Sequence, residues 1–180
     1  MITKIFGDKK LSIEPLSAKD LKHAREYADL INSLVEDDAK ISKNSRLTVK
    51  EEADWLKGTI KKIKERNYVF VIAKDEKKIV GSSGVELKKS REKHVGVFGI
   101  IIRDGYRGIG LGECLMGEAL RLASKNLAGL KIIRLEVMVN NKPAIGLYKK
   151  MGFKIVAKVP KQHQYKGKLI GEYIMIKEIK

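Results

Sequence analysis

Three closely spaced glycines form the densest chemical signal in the sequence. Residues 101–116 read IIRDGYRGIGLGECLM, so Gly108, Gly110 and Gly112 follow a predicted strand that ends at Ile102 and lead into a predicted helix. Glycine lets the backbone approach a ligand closely, and the free N–H groups at the start of a helix favour an anion. The stretch therefore predicts a turn that holds a phosphate group such as a pyrophosphate.

Three interpretations of this turn compete. The P-loop pattern G-x-x-x-x-G-K-[ST] is absent, which argues against nucleotide hydrolysis. A Rossmann site needs G-x-G-x-x-G and an acidic residue at the end of the next strand, whereas these glycines run G-x-G-x-G and Glu136 lies inside a predicted strand. Glycines that only build a tight turn before a helix also fit the segment. The segment alone does not choose a cofactor.

A second segment, residues 135–154, reads LEVMVNNKPAIGLYKKMGFK. A predicted strand ends at Asn140 and Asn141, a short predicted helix carries Tyr148, and Gly152 ends that helix before Phe153. An asparagine beside a strand end and a tyrosine on the following helix are both able to hydrogen-bond a ligand.

Together the two segments resemble the signatures of the GNAT superfamily of N-acetyltransferases. The acetyl-coenzyme A motif of that family, R-x-x-G-x-G/A, is matched by Arg107, Gly108, Ile109, Gly110, Leu111 and Gly112. Its second signature, an Asn followed by A-x-x-L-Y and then G-F, is matched by Asn141, Ala144, Leu147, Tyr148, Gly152 and Phe153. The resemblance spans residues 11–177 and is strongest over residues 94–154.

The resemblance implies a fold, a cofactor and a reaction. The strands at 94–102 and 131–139 would part, and the pantetheine arm of acetyl-CoA would lie between them, with its pyrophosphate held by the glycine turn. Backbone N–H groups at Ile100, Ile101 and Ile102 would bind the pantetheine amides and the thioester oxygen. The acetyl group would pass directly to a primary amine of a peptide or protein, at its N-terminus or at a lysine. The alternatives are a polyamine or other small amine as acceptor, and a non-catalytic acyl-CoA-binding module.

Such a reaction needs a group that removes a proton from the amine, because a lysine-type amine has a pKa of about 10.4 and an α-amine one of about 7.7 to 8.0. Glu136 resembles the position from which some family members deprotonate an α-amine, or it is an exposed strand residue beside Arg134. His94 opens the strand expected to hold the thioester, or it is an ordinary residue at a strand edge. Glu86 and Glu172 are weaker candidates that could attract a cationic acceptor.

The resemblance also suggests roles for three other side chains. Tyr148 would donate a proton to the departing CoA thiolate; alternatively it is a packed tyrosine. Asn141 would bind the pantetheine or the acceptor backbone, and it equally suits the N-cap of a helix with Pro143 in its first turn. Cys114 is predicted to be a core residue of the helix that follows the glycine turn.

The elements that must position these residues follow from hydrophobic periodicity. Ser17 with Asp20 and Thr48 with Glu51 form capping boxes that predict the starts of two amphipathic helices. Further helices are predicted at 110–126 and 144–151, and strands at 10–15, 68–74, 78–87, 94–102, 131–139, 154–159 and 169–177. The prediction is a mixed, mostly antiparallel sheet of about seven strands with helices on both faces.

Composition sets the remaining expectations. The chain has 180 residues, enough for one domain over residues 1–180, and its single cysteine excludes an internal disulfide. The three histidines are scattered, so no metal site is expected. The sequence shows no export signal and no apolar run of membrane-spanning length, which predicts a cytoplasmic protein without a membrane partner.

The chain carries 38 Lys and Arg against 22 Asp and Glu, a formal net charge of +16. Because these cations are spread along the chain, we expect nucleic acid to bind only non-specifically. A homodimer formed through a terminal strand also fits the pattern.

Overall fold

The structure is a computed structural model that describes residues 1–41 and 43–179. The chain forms two compact units, Met1–Glu86 with Gly99–Ala128, and Leu87–Phe98 with Gly129–Lys180. The described strands are β1 Ile2–Phe6, β2 Lys9–Pro15, β3 Tyr68–Asp75, β4 Lys78–Leu87, β5 Val95–Ile102, β6 Ile132–Met138, β7 Lys154–Tyr165 and β8 Lys168–Glu178. The α-helices are α1 Ala24–Glu36, α2 Val49–Lys64, α3 Leu111–Asn126 and α4 Lys142–Lys150.

In the first unit, β1 to β4 form an antiparallel meander in chain order. Alternate residues of β3 point to opposite faces: Phe70 and Ile72 join the core formed with α1 and α2. The other face is covered by α3, whose Leu115 side chain lies 3.0 Å from where a Cβ on Gly81 of β4 would be. The predicted placement of helices on both faces of the sheet is therefore confirmed in this unit.

In the second unit, β6 lies between β5 and β8, and β7 forms the edge beyond β8. The pairing of β5 with β6 is parallel, while β6 with β8 and β7 with β8 are antiparallel. Paired residues on β5 and β6 cover only Val95–Val97 and Ile132–Arg134, although both strands continue further. The predicted mixed and mostly antiparallel fold is confirmed, and the described pairing of β5 with β6 ends at Val97 and Arg134.

The predicted strand count was one too low. The described residues form eight strands, because Ile2–Phe6 pairs with Lys9–Pro15 through a tight turn at Gly7, where φ is +63°. This segment, ITKIF, does not alternate apolar and polar residues, and Ile5 on it is 75% exposed. Hydrogen bonds to β2 therefore stabilise β1 more than burial does. Such backbone pairing leaves little hydrophobic pattern in the sequence, so periodicity did not predict the strand.

Three predicted boundaries also differ from the structure. The capping box of Ser17 and Asp20 is present, but it begins a 3₁₀ helix over Ala18–His23, and α1 starts only at Ala24. The strand predicted from His94 begins at Val95. Pro160, which directly follows the strand predicted at 154–159, lies inside β7, an edge strand whose register shifts between Val159 and His163. An edge strand tolerates proline because one side of its backbone needs no hydrogen-bonding partner.

None of the helices formed by residues 1–41 and 43–179 has the length and apolar composition that a bilayer crossing requires.

Candidate active site

The glycine turn owes its shape to backbone conformation. Gly108 and Gly110 have φ values of +77° and +89°, a left-handed region that glycine enters at little cost. A Cβ on Gly108 would meet no atom within 4 Å, and one on Gly110 would meet only the Phe6 ring, at 4.0 Å. These positions therefore require glycine for its dihedral angles and not for lack of space. Gly112 lies in the first turn of α3.

The turn leads directly into α3, and the free N–H groups at the N-terminus of that helix can bind an anion. Gly110 is the N-cap, and the first helical bond runs from the N–H of Cys114 to the carbonyl of Gly110, at 3.3 Å. The N–H groups of residues 111–113 consequently have no acceptor within the helix. Arg107 fixes the preceding loop, since its Nε donates to the carbonyl of Ile102 at 2.9 Å. These donors and the positive end of the helix dipole fit a diphosphate.

Further positive charge lies around the turn. The Tyr106 hydroxyl donates to Asp75 at 2.7 Å, and burial together with this bond raises the pKa of the phenol. The ammonium groups of Lys9 and Lys78 lie 5.4 and 5.9 Å from the centre of the Tyr106 ring. Cation–π contacts of this length hold lysines in place. Lys9 of β2 and Lys78 of β4 thus add cations to the backbone donors that the loop before α3 offers to an anionic ligand.

A pocket of about 410 Å³ lies within the first unit. Its walls are Tyr27, Ile31, Lys43, Leu47, Glu51, Glu52, Trp55, Tyr68, Phe70, Ser82, Gly99, Ile100 and Ile101. Aromatic rings dominate one side, where Trp55 and Tyr68 each meet Phe70 edge-on, at 5.4 and 5.6 Å between ring centres. The pocket therefore borders the stretch of β5 at which the resemblance predicts the thioester.

Glu52 is the acidic group buried in this pocket. Its side chain comes from α2, and the residue is only 4% exposed. Burial raises its pKa to about 7, even though the positive charge of Lys43 acts to lower it. A carboxyl of this kind can exchange a proton near neutral pH.

Sequence analysis did not single out Glu52, although a signal was present. Glu52 precedes Leu56 by four residues, and Leu56 and Ile60 lie on the buried face of α2. Residues four apart share a helix face, so Glu52 falls on the apolar stripe. A glutamate at such a position is rarely buried without a reason.

In the second unit, Tyr148 on α4 is 7% exposed and packs among aromatic rings. Its ring centre lies 6.2 Å from that of Phe98 and 6.3 Å from that of Phe153. Burial raises the pKa of its hydroxyl to about 12, so the group carries its proton at neutral pH. Asn141 occupies the N-cap of α4, but its side chain makes no capping hydrogen bond; its carbonyl accepts from the N–H of Ile145 at 3.0 Å.

The two bases suggested by the sequence lie in different settings of the same unit. Glu136 is an exposed residue of β6 whose carboxylate pairs with Arg134 at 2.5 Å. His94 is half-buried in the turn before β5, and its carbonyl accepts N–H groups from Lys131 and Ile132 at 2.8 and 3.2 Å. The carboxylate of Glu136 thus has a structural partner, the bonds of His94 involve only its backbone, and neither geometry assigns a catalytic role.

The weaker candidates are partnered too. Glu86 forms an ion pair with Lys62 at 2.7 Å. Glu172 is buried on β8 and hydrogen-bonds to Nε2 of His163, also at 2.7 Å. Cys114 was predicted to lie in the core, but it is only partly buried, because the buried face of α3 runs through Leu111, Leu115 and Met116.

Known proteins and solved structures resemble this chain in sequence and in fold. An N-alpha-acetyltransferase of Sulfurisphaera tokodaii is 30% identical over an alignment of 146 residues, and the match covers 76% of this chain and 86% of that protein. The crystal structure of a GNAT-family acetyltransferase from Streptococcus pneumoniae matches with a TM-score of 0.82 and 27% identity, over 94% of this chain and 99% of that one.

Another solved structure with a similar fold contains the acetyl donor. A phosphinothricin acetyltransferase from Sinorhizobium meliloti, solved in complex with acetyl-CoA, shares the fold with a TM-score of 0.79. The two chains are 15% identical, and the match covers 94% of this chain and 88% of that one.

The model of the acetyltransferase (GNAT) family matches residues 29–153. That range contains the glycine turn, the pocket residues other than Tyr27, and the Asn141–Phe153 signature. Because the match covers more than half of the sequence and both signature segments, this chain belongs to the GNAT family of acetyltransferases, enzymes whose acetyl donor is acetyl-CoA.

Proposed function

We propose that this acetyltransferase transfers the acetyl group of acetyl-CoA directly to a primary amine of a peptide or protein, with an N-terminal α-amine as the preferred acceptor. The observation that carries the proposal is the pocket beside Gly99, Ile100 and Ile101, whose walls combine aromatic rings with a buried carboxyl. An α-amine has the lower pKa of the two protein amines, so more of it is neutral and nucleophilic near pH 7. The similarity to an N-alpha-acetyltransferase at 30% identity supports the same acceptor.

On the donor side, we assign the pyrophosphate to the glycine turn and the start of α3. The residues of that site are Arg107, Gly108, Ile109, Gly110, Leu111 and Gly112. Bound acetyl-CoA supplies an activated thioester, and the backbone N–H groups of Ile100, Ile101 and Ile102 would bind its pantetheine amides and thioester oxygen. The left-handed glycines and the unpaired N–H groups of the first helical turn support the pyrophosphate assignment.

Two side chains of the second unit complete the proposal. Tyr148 donates a proton to the departing thiolate, a role that suits a hydroxyl still protonated at neutral pH. Asn141 binds the pantetheine or the acceptor backbone, and its unused capping position leaves its side-chain amide available for such a bond. Glu136 and His94 remain predicted proton acceptors, with the ion pair to Arg134 counting against Glu136.

The pocket also favours a second acceptor class. A buried carboxyl among aromatic rings suits the ammonium group of a polyamine or another small amine as well. In either case, pairing of two copies of the chain and weak, salt-sensitive binding of nucleic acid stay predictions.

Mass spectrometry of a mixed panel tests the proposal. The protein is incubated with acetyl-CoA, peptides with free N-termini, peptides with blocked N-termini and one lysine, and polyamines. We expect a mass gain of one acetyl group on the free N-termini first. Acetylation of the polyamines alone would favour the small-amine alternative, and binding of acetyl-CoA without any CoA release would indicate a non-catalytic module.

A further inference from the structure

The pocket of the first unit holds a buried carboxyl that nothing else in the described structure uses. Glu52 is 4% exposed, and within residues 1–41 and 43–179 its carboxyl group has no hydrogen bond; the charge that acts on it is that of Lys43. The carboxylate of the neighbouring Glu51, in contrast, has hydrogen-bond partners. One of its oxygens accepts from the N–H and the hydroxyl of Thr48, at 2.8 and 2.7 Å. Burial of an unpaired carboxyl is costly and calls for a compensating ligand.

A second polar group of the same pocket also lacks a partner. Tyr27 on α1 is 2% exposed, and its hydroxyl has no hydrogen-bond partner among the described residues. Burial is the main cause that raises the pKa of this phenol, and the negative charges of Asp20 and then of Glu52 add to it, so Tyr27 and Glu52 interact electrostatically. Two unpartnered polar groups in one pocket point to a ligand that is itself polar.

The rest of the pocket narrows the chemistry of that ligand. Trp55, Tyr68 and Phe70 form an aromatic wall. Aromatic faces attract cations and apolar groups, while the carboxyl of Glu52 attracts cations and repels anions. A ligand with a primary ammonium group on an uncharged segment can bind to both, with the ammonium group at Glu52 and the uncharged segment against the aromatic wall.

We propose that Glu52 binds the ammonium group of the acceptor and takes up its proton, and that the aromatic wall selects acceptors without a carboxylate near the amine. This inference rests on the proposed function, whose reacting thioester would lie at the Gly99–Ile101 stretch that lines the same pocket. Glu52 is thereby a catalytic residue supplied by α2, distinct from Glu136 and His94 of the second unit.

The proton and bond changes balance without another reactant. The ammonium group gives one proton to the ionised carboxyl of Glu52, which leaves a neutral amine. Its nitrogen forms the new N–C bond to the acetyl carbon as the C–S bond breaks and the sulfur keeps the electron pair. The CoA thiolate takes its proton from Tyr148, the second proton lost by the nitrogen restores the Tyr148 hydroxyl, and Glu52 returns its proton to water.

The electrostatic setting matches this cycle. Burial raises the pKa of Glu52 to about 7, which lies close to the pKa of an α-amine. The other titratable groups that line the pocket are Tyr27 from α1, Lys43 from the following loop, Glu51 from α2 and Tyr68 from β3. Of these, Lys43 lowers the pKa of Glu52, whereas burial raises the pKa of both tyrosines above their ordinary value.

The test compares Glu52→Gln with the wild type and with Glu65→Gln. Glu65 is a matched control on the same stretch of chain, since it caps the far end of α2 and pairs only loosely with Lys61, at 4.0 Å. With the peptide amide Ala-Leu-Gly as acceptor, we expect Glu52→Gln to lower kcat/KM at least about 100-fold. We also expect the rise of wild-type kcat/KM through pH 7 to be lost in that variant and kept in Glu65→Gln.

A binding measurement separates this inference from the proposed function. Calorimetric titration with Ala-Leu-Gly amide and with Glu-Leu-Gly amide needs no turnover, and wild type should bind the first about 10-fold more tightly or better. Equal binding of the two peptides, or a Glu52→Gln variant with unchanged affinity and pH profile, would overturn the role of Glu52. Peptide binding that depends on Glu52 without acetylation of any amine would refute the proposed function alone.

Discussion

The buried carboxyl of Glu52 makes a sharp prediction about stability as well as about catalysis. Its pKa rises from the ordinary 4.5 to about 7 because burial disfavours the charged form. At 1.36 kcal/mol per pH unit, ionising Glu52 in the folded chain costs about 3 kcal/mol more than in the unfolded chain. As the pH rises above 4.5, the unfolded chain releases this proton first, so stability falls until the pH passes the folded pKa near 7.

Glu52→Gln removes this penalty, since glutamine stays neutral at every pH. We expect the variant to resemble wild type at pH 5 and to be more stable by about 2 to 3 kcal/mol at pH 8. For a chain of this length that corresponds to a gain in Tm of about 5 to 10 °C. Thermal unfolding of both proteins and of Glu65→Gln between pH 5 and pH 8 measures it. If the Tm of wild type and of Glu52→Gln changed in parallel with pH, the burial argument would be refuted. If Glu65→Gln gained the same Tm at pH 8, the gain would come from the change in net charge and not from burial.

Three further predictions concern the glycine turn and the second unit. Gly110→Ala places a Cβ at φ +89°, a strain of about 1 to 3 kcal/mol, and should weaken acetyl-CoA binding about 10-fold or more by calorimetry, whereas Gly58→Ala, on the exposed side of α2, should not. Tyr148→Phe keeps the ring contacts, so Tm should hold within about 1 °C while kcat falls about 100-fold; unchanged turnover would assign Tyr148 to packing. His163→Ala leaves the buried carboxyl of Glu172 without its partner and should cost about 1 to 3 kcal/mol in chemical unfolding, and an unaltered unfolding midpoint would show that water replaces the bond.

The elements that sequence analysis predicted well are those in which a local rule acts alone. The capping box of Thr48 and Glu51 forms as predicted, with bonds between residues three apart. The left-handed glycines at 108 and 110 also follow from residue type, because no other residue adopts those angles easily. Where backbone pairing with a distant segment decides, as at Ile2–Phe6 and along β7, the prediction missed a strand or its length.

The sequence by itself determined the family, the fold class and the conformation of the glycine turn, because each rests on motifs or periodicities contained within a few consecutive residues. Only the tertiary structure decided which acidic residue faces the pocket. Glu52 and Glu51 are adjacent and chemically identical, yet one is buried without a partner and the other is held by Thr48 at the helix start. The difference arises from what α1, β3 and β5 place against α2, and a pKa depends on those distant groups and on the water they exclude.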